Sequence, residues 1–349
     1  MKLRRKLISE ESLRTKKSTI RFTLGIIILI LISHPLFLTT CKESTEPEEP
    51  EEITGWQKHP DNPVLGPGPA GSWDDAYVGC PSVIIDNDTL YMFYVGGDGQ
   101  NLRIGVATSA NGISWEKYPH NPILDLGSEG TWDDYWVIFP HVRHGWGIEM
   151  WYQGNDGTTD RIGLAKSILL NTFTWEKSSE NPFLEPGPEG SWDDMQVSTP
   201  FVYLWESPGW VKTFRLYYAG SDGDYFRIGY AEAGNDYTWE KFENNPVLDV
   251  GSWDSPRVQD PRIIEIGDTY HMWYSGGDFF TWRIGHATSA DGISWTKDPN
   301  NPVLNVGKSG EWDEAYVGGC SVLFEETFKM WYTGGRGYMH GSIGYAIKK

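Results

Sequence analysis

One motif recurs five times along this chain, at intervals of 56 to 64 residues. Each copy opens with a tryptophan, continues through an Asn-Pro dipeptide and a Trp-Asp pair, and ends in a strand-like Ile-Gly-x-Ala segment. The opening tryptophans are Trp56, Trp115, Trp175, Trp239 and Trp295. Repeats of this length that consist of short β-type runs are typical of propellers. The chain is therefore predicted to be all-β, with five blades.

The two ends of the repeat region complement each other. The last copy ends after its third strand, at residues 342–347, whereas the first begins with a fourth strand, residues 55–58, that has no third strand before it. Pairing these halves would remove exposed strand edges, which invite aggregation. We therefore predict a five-bladed β-propeller over residues 54–349, closed by its N-terminal strand.

The first 53 residues have a different character. Residues 1–21 carry eight basic side chains, and a mostly apolar run follows from Phe22 to Leu38. This order predicts an export signal over residues 1–41, and Cys41 at its end resembles the lipidated cysteine of a bacterial lipobox. An uncleaved signal anchor is the alternative, because the apolar run is near the lower limit for a spanning helix. Residues 42–53 are rich in glutamate and predict a solvated tether.

Either interpretation of the N-terminus places the repeats outside the cytoplasm, anchored to a membrane at the periplasmic face or cell surface. The formal net charge of −19 includes a basic leader, so the repeats themselves are still more acidic. Such a domain is repelled by nucleic acid and anionic lipid, and neutral glycans are the expected partners. We expect a monomer without cofactor or metal, and interpret His141 and His144 as packing or surface residues.

Positions that recur in every copy are interpreted as scaffold. The Trp-Asp pairs are expected to fix each blade to its neighbour, and the arginines before Ile-Gly to pair with rim aspartates. In the fifth copy, Arg336 and Ser342 replace the aspartate and the arginine. Loss of both residues together is expected if they form an ion pair. The Trp-Asp pairs are Trp73-Asp74, Trp132-Asp133, Trp192-Asp193, Trp253-Asp254 and Trp312-Asp313. The expected charge pairs are Arg103 with Asp98, Arg161 with Asp156, Arg227 with Asp222, and Arg283 with Asp278.

Positions at which one copy departs from the others are interpreted as the functional site. One position of the predicted channel strand holds Cys80, Phe139, Thr199, Asp260 and Gly319 in the five copies. The position three residues earlier holds Tyr77, Trp136, Gln196, Arg257 and Tyr316. Only the fourth copy places a carboxylate at the first position, with Arg257 and Arg262 on either side. Aromatic faces stack on sugar rings while charged groups bind their hydroxyls, so these side chains predict a sugar-binding mouth.

The segment Gln-Asp-Pro-Arg at residues 259–262 is similar to the Glu-Asp-Pro-Arg motif of glycoside hydrolase family 130. The whole of residues 54–349 resembles the five-bladed glycoside hydrolases of families 130, 43 and 32. The resemblance implies that the protein acts on an extracellular oligosaccharide or polysaccharide. It also implies that Asp260 is the proton donor.

Glycoside hydrolysis is the expected function, and the number of carboxylates leaves two alternatives open. Family 43 places three carboxylates on the channel strands, where this chain has Cys80, Phe139 and Thr199, and hydrolysis normally needs two. Asp75 and Glu314, each two residues before a mouth tyrosine, are the candidates for the second. A glycoside phosphorylase needs one acid and a phosphate site, and a noncatalytic glycan-binding surface lipoprotein needs neither. The candidate phosphate ligands are Arg257, Arg262, Arg336 and His340.

Cys80 and Cys320 are the only cysteines that follow Cys41. They fall one residue apart in equivalent strands of the first and fifth copies, and one residue along a strand reverses the face on which a side chain lies. An exported domain retains disulfides, so a bridge across the closing seam is one interpretation. Two buried free thiols that pack as small apolar residues are the other.

Overall fold

The computed structural model describes residues 55–145, 147–206, 212–278, 280–337 and 340–349. These residues belong to one compact unit, Glu52–Lys349. The predicted export signal, Cys41 and the whole of the acidic tether lie outside the described residues. Among those that are described, no helix has the length and apolar character needed to cross a membrane.

The prediction of an all-β chain is confirmed. The described chain contains one short 3-10 turn, Leu170–Thr172, and is otherwise strands and connections, as its β-branched and aromatic runs favour. The strands are β1 Gln57–Lys58, β2 Tyr77–Asp86, β3 Thr89–Gly97, β4 Leu102–Ser109, β5 Glu116–Lys117, β6 Trp136–Gly145, β7 Gly147–Asn155, β8 Asp160–Ser167, β9 Glu176–Lys177, β10 Gln196–Glu206, β11 Lys212–Ser221, β12 Phe226–Ala233, β13 Glu240–Lys241, β14 Arg257–Ile266, β15 Thr269–Gly277, β16 Trp282–Ser289, β17 Thr296–Lys297, β18 Tyr316–Phe324, β19 Phe328–Gly335 and β20 Gly341–Lys348.

The strands associate as five antiparallel units of four. Units 1 to 4 are β2–β5, β6–β9, β10–β13 and β14–β17, and unit 5 combines β18–β20 with β1. Units 3 and 4 are joined into one sheet by a single parallel pair, Phe226 with Arg257. The N-terminal strand pairs with the last strand through Gln57 opposite Ile347 and Lys58 opposite Ala346, as the sequence predicted.

The first strands of the five units lie against one another. In order, β2 contacts β6, β6 contacts β10, β10 contacts β14, β14 contacts β18, and β18 contacts β2. The apolar core is divided among the boundaries between consecutive units. At one boundary, Trp331 of unit 5 packs against Leu90 and Met92 of unit 1. Each unit therefore buries its faces against its two neighbours, and a single unit would leave both exposed.

The repeated Trp-Asp aspartates are buried anchors within each unit. Asp74 is 2% exposed and accepts hydrogen bonds from Lys117 Nζ at 2.6 Å and from the Tyr94 hydroxyl at 3.1 Å. All three residues belong to unit 1 or to the segment directly before it, so the aspartate bonds act within one unit. The tryptophans beside the aspartates pack against apolar clusters that two consecutive units share, as expected for a contact between neighbours. The lysine comes from the short fourth strand and holds that strand to the rim. The equivalent trios are Asp133 with Lys177 and Tyr152, Asp193 with Lys241 and Tyr218, Asp254 with Lys297 and Tyr274, and Asp313 with Lys58 and Tyr332.

The predicted rim charge pairs are present in units 1 to 3. Arg103 lies 2.7 Å from Asp98, and the pairs in units 2 and 3 are equivalent. In unit 4, two backbone hydrogen bonds lower the pKa of Asp278 below its usual value, and the charge of Arg283 lowers it further.

Candidate functional site

A β-bulge interrupts the first strand of every unit at the position that the repeat comparison selected. The pairing register shifts there in all five units. The bulge residues have left-handed backbone angles, with φ between 49° and 58°. They are Cys80, Phe139, Thr199, Asp260 and Gly319. A bulge frees one residue from strand pairing and redirects its side chain, which is how Asp260 leaves the ladder of its sheet.

In four of the units, a side chain of the preceding unit accepts a hydrogen bond from the bulge N–H. In two of these the acceptor is a hydroxyl from the second strand of that unit. Unit 3 has Ala219 at that position of its second strand and offers no hydroxyl there, so Thr199 Oγ1 accepts the bond from Asp260 N instead. The other three bonds run from Cys80 to Thr333 Oγ1, from Gly319 to Ser275 Oγ, and from Thr199 to Gln153 Oε1.

The bulges of units 1, 2, 4 and 5 contribute to a cavity of about 150 Å³, here called the mouth cavity. Of the predicted site residues, the structure brings together Asp260, Tyr77 and Tyr316 in its lining. Trp282 and Phe280 also line the cavity, and sequence reasoning did not assign either of them to the site. Phe280 lies in the turn before β16 and is 83% exposed. The remaining lining residues are Cys80, Phe139, Gly318, Gly319 and Thr333.

Asp260 is a buried carboxyl group in this cavity. Its side chain is 1% exposed, and Oδ1 has no hydrogen-bond partner among the described residues. Burial raises the pKa of Asp260, while Ser275 and the charge of Arg262 act in the opposite direction. Because burial dominates, the protonated form is favoured relative to an exposed aspartate. Asp260 is also the one carboxyl group among the described lining residues of the mouth cavity.

The two cysteines are free and buried, so the proposed disulfide is not formed. Cys80 packs with Val95 and Ile138, whereas Cys320 belongs to a different apolar cluster that includes Trp273. The bulge separates the two positions, because Cys80 is the bulge residue of unit 1 and Cys320 follows the bulge residue of unit 5. Cys80 Sγ lies 3.7 Å from the Tyr77 hydroxyl, and burial raises the pKa of both groups, that of Cys80 to about 12.

Arg257, Trp136 and Gln196 occupy the same level of the first strands but do not line the mouth cavity. The Arg257 guanidinium lies 5.0 Å from the ring centre of Phe226 and 5.4 Å from that of Trp282. At these cation–π distances, Arg257 packs against Trp282, which lines the mouth cavity.

The sequence analysis did not single out Asp160, a buried carboxylate beside Trp136. Asp160 Oδ1 accepts hydrogen bonds from Trp136 Nε1 at 3.1 Å and Asn155 Nδ2 at 2.7 Å, and burial raises the pKa of Asp160. The signal was available, because only the second copy has an acid at the start of its third strand. The other copies have Leu102, Phe226, Trp282 and Gly341 there.

Asp75 and Glu314, the predicted second acids, hold loops. Asp75 Oδ2 accepts a hydrogen bond from the backbone N–H of Gly71 at 2.7 Å, and Glu314 Oε2 accepts one from Gly310 at 2.5 Å. Asp134 and Asp194 make the same bond in units 2 and 3. Neither Asp75 nor Glu314 lines the mouth cavity. The structure therefore gives these two residues a role in the rim loops.

The four predicted phosphate ligands are dispersed. Arg262 lies further along β14, in the lining of a second cavity. Arg336 Nε donates to the Glu311 carbonyl oxygen at 3.1 Å, and His340 is exposed in the turn before β20. His141, interpreted above as a packing or surface residue, is buried and hydrogen-bonds the Val202 carbonyl oxygen through Nε2 at 2.9 Å.

Comparison with known proteins gives one family match. The family model described as "Glyco_hydro_130: beta-1,4-mannooligosaccharide phosphorylase" matches residues 208–311, a range that contains Asp260. An uncharacterised protein of Mycobacterium tuberculosis (strain H37Rv) is 27% identical over 236 residues, which is 63% of this chain and 74% of that protein.

Two of the solved structures that share the fold illustrate the similarity. One, described as a glycoside hydrolase, has a TM-score of 0.69 and 21% identity, covering 85% of this chain and 92% of its own. The other comes from the GH130 family of mannoside phosphorylases, said to contain glycoside hydrolases that target beta-1,2 mannosidic linkages in Candida mannan. Its TM-score is 0.66 at 16% identity, covering 86% and 95%. The resemblance to glycoside hydrolase and phosphorylase propellers that the sequence predicted is thus confirmed.

Proposed function

We propose that this chain is a glycan-active enzyme, with the sugar bound in the mouth cavity and Asp260 as its general acid. The observation that carries the proposal is the buried Asp260 carboxyl group, which lies among Tyr77, Tyr316 and Trp282 and has a raised pKa. Aromatic walls with a small number of polar groups suit a sugar ring. A carboxyl group that keeps its proton at higher pH suits protonation of a glycosidic oxygen.

In the proposed reaction, the Asp260 proton moves to the glycosidic oxygen while the bond from that oxygen to the anomeric carbon breaks. The leaving sugar departs as an alcohol, and Asp260 is left as a carboxylate whose negative charge is opposed by Arg262. In hydrolysis, water adds to the anomeric carbon and gives its proton to a base. In phosphorolysis, phosphate adds to that carbon instead, and no second carboxylate is required.

Hydrolysis is the function we favour, and two alternatives have specific support. Phosphorolysis is supported by the family match to a mannooligosaccharide phosphorylase, although the predicted phosphate ligands are dispersed. Noncatalytic glycan binding is supported by the single carboxyl group among the described lining residues of the mouth cavity. β-Linked mannooligosaccharides are the first substrates to test, because the family match and one structural relative both name β-mannosides.

We further propose that the five units form the blades of a closed propeller. The cyclic contacts among the first strands and the pairing of β1 with β20 support this arrangement. The N-terminal 53 residues are proposed to export the domain and to anchor it as a monomeric lipoprotein through Cys41. Metabolic labelling with an alkyne fatty acid tests the anchor, since the label should enter the wild-type chain and be absent from the Cys41→Ala variant.

The experiment that separates the three functions incubates the purified protein with β-1,2- and β-1,4-mannooligosaccharides, with and without phosphate. Free mannose released without phosphate supports hydrolysis, and a sugar phosphate formed only with phosphate supports phosphorolysis. Calorimetry on the same glycans detects binding without turnover, which supports the noncatalytic alternative. If the protein neither binds nor cleaves any glycan of a wider plant and microbial panel, that result would contradict all three functions.

A further inference from the structure

The first strands enclose a second cavity beyond their bulges, with a volume of about 320 Å³. It is lined by the residues two positions after each bulge residue and by those that follow. These are Ser82, Val83, Ile84, His141, Val142, Phe201, Arg262, Ile263, Ile264, Ser321, Val322, Leu323 and Phe324. Among these described lining residues there is no carboxylate, although the chain as a whole is strongly acidic.

Arg262 is the charged group of this cavity, and its hydrogen bonding is incomplete. The side chain is 4% exposed. Nη1 donates to the carbonyl oxygens of Pro261 at 2.8 Å and Pro200 at 3.5 Å, whereas Nε and Nη2 have no partner among the described residues. The N–H groups of Nε and Nη2 lie on one edge of a guanidinium and form the fork that binds two oxygen atoms at once. The backbone thus anchors one nitrogen and leaves the fork intact.

A buried, unpartnered fork is unusual, because buried donors almost always have an acceptor. Asp260 does not supply one. The Asp260 charge opposes the effect of burial on the pKa of Arg262, but the two side chains form no ion pair among the described contacts. Oδ1 of Asp260 is itself without a partner. The protein groups described around Arg262 therefore leave both N–H donors of the fork unsatisfied.

Two hydroxyl groups lie in the same lining. Ser82 Oγ accepts a hydrogen bond from Val142 N at 3.0 Å, and Ser321 Oγ accepts one from Val83 N at 2.9 Å. A serine hydroxyl that accepts one bond still has its own proton to donate. The lining thus combines a guanidinium fork with two available O–H donors.

We propose that this second cavity binds a small oxyanion, such as phosphate, between the Arg262 fork and the hydroxyls of Ser82 and Ser321. The geometry supports this assignment through the two-oxygen spacing of the fork, the additional donors and the lack of a competing carboxylate in the described lining. The site is separate from the mouth cavity and does not depend on the proposed glycan chemistry. It keeps Arg262 as a phosphate ligand, which the sequence analysis considered, but places the anion away from the sugar-binding mouth predicted there.

Calorimetric titration of the purified protein with inorganic phosphate tests the proposal, with sodium chloride used to hold the ionic strength constant. We expect saturable binding to the wild type and a melting temperature that rises with phosphate but not with chloride. Acetate, as a planar oxyanion, tests whether two oxygens suffice. The Arg262→Lys variant keeps the charge but loses the fork, and removal of one charged hydrogen bond should weaken phosphate binding about tenfold or more.

Two matched variants locate the anion. Arg103→Gln removes an arginine of the rim scaffold and should leave phosphate affinity unchanged. Arg257→Gln removes the arginine beside Trp282, so loss of phosphate binding in that variant alone would place the anion at the mouth and overturn the proposal. If Arg262→Lys fails to fold, Ser321→Ala provides the test, with weaker phosphate binding expected. No saturable binding to the wild type, or binding unchanged in the Arg262 or Ser321 variant, would also overturn it.

Discussion

The backbone N–H of Asp260 donates a hydrogen bond to Thr199 Oγ1 at 3.3 Å, so the bulge of unit 4 is held by the bulge residue of unit 3. Both residues are fully buried and both have left-handed backbone angles. The candidate acid is therefore positioned by its neighbouring unit as well as by its own strand.

Replacing Thr199 with valine should therefore destabilise the protein and impair its activity. Valine preserves the shape of the side chain but removes the acceptor of the Asp260 N–H, and an unsatisfied buried donor costs about 1–3 kcal/mol. Chemical denaturation measures the loss. The Thr199→Ser variant retains the hydroxyl and should lie close to the wild type. Equal stability of the valine and serine variants would show that this bond does not hold the bulge.

The buried aspartates should contribute more to stability than the rim charge pairs. Asp74→Asn removes the charge that faces Lys117 and should cost about 3 kcal/mol, because the lysine loses its counter-ion in a largely buried setting. Asp98→Asn, the matched change in a more exposed pair, should cost less than about 1 kcal/mol. Denaturant unfolding of both variants measures the difference, and similar losses would contradict the assigned roles.

Cys80 and Cys320 should behave as slow, unbridged thiols. Burial raises the pKa of each to about 12, so few thiolates exist at pH 8 and alkylation of the folded domain should be slow. After denaturation without reductant, both should react rapidly, as mass spectrometry of the corresponding peptides would show. A disulfide-linked peptide pair would contradict the structure.

His141 should make the protein less stable in acid. Burial, together with the positive charges of Arg262 and Arg143, lowers the pKa of His141 to about 3, against roughly 6.5 in an unfolded chain. Between these values the unfolded chain binds the additional proton, so stability falls as the pH decreases from 6.5 towards 3. The His141→Gln variant keeps an N–H donor but does not titrate.

The free energy of unfolding of the wild type and of this variant, measured from pH 7 to pH 4, isolates the contribution of His141. We expect the wild type to lose more stability than the variant on acidification. Parallel curves for the two proteins would contradict the lowered pKa of His141.

The repeats allowed much of this architecture to be predicted from the sequence. They aligned the five bulge positions and singled out Asp260, because a departure from a fivefold pattern is visible without a structure. They did not reveal that Asp75 and Glu314 bind loop N–H groups. The spacing of two residues from a tyrosine does not determine where a carboxylate side chain points outside a regular strand. They also did not separate Arg262 from Asp260, because the sequence does not show that the bulge at Asp260 directs the two side chains to different cavities.

The most direct test of the account is the turnover of the Asp260→Asn variant on the glycan that the wild type cleaves. The amide keeps the shape of the carboxyl group but has no acidic proton, so turnover should fall by about 10²–10⁴-fold while the glycan is still bound. Wild-type activity should decline as the pH rises through the raised pKa of Asp260, because the acid must be protonated. Asp134→Asn, which alters a loop carboxylate of unit 2, should remain active. Turnover by Asp260→Asn close to that of the wild type would contradict the assignment of Asp260 as the acid.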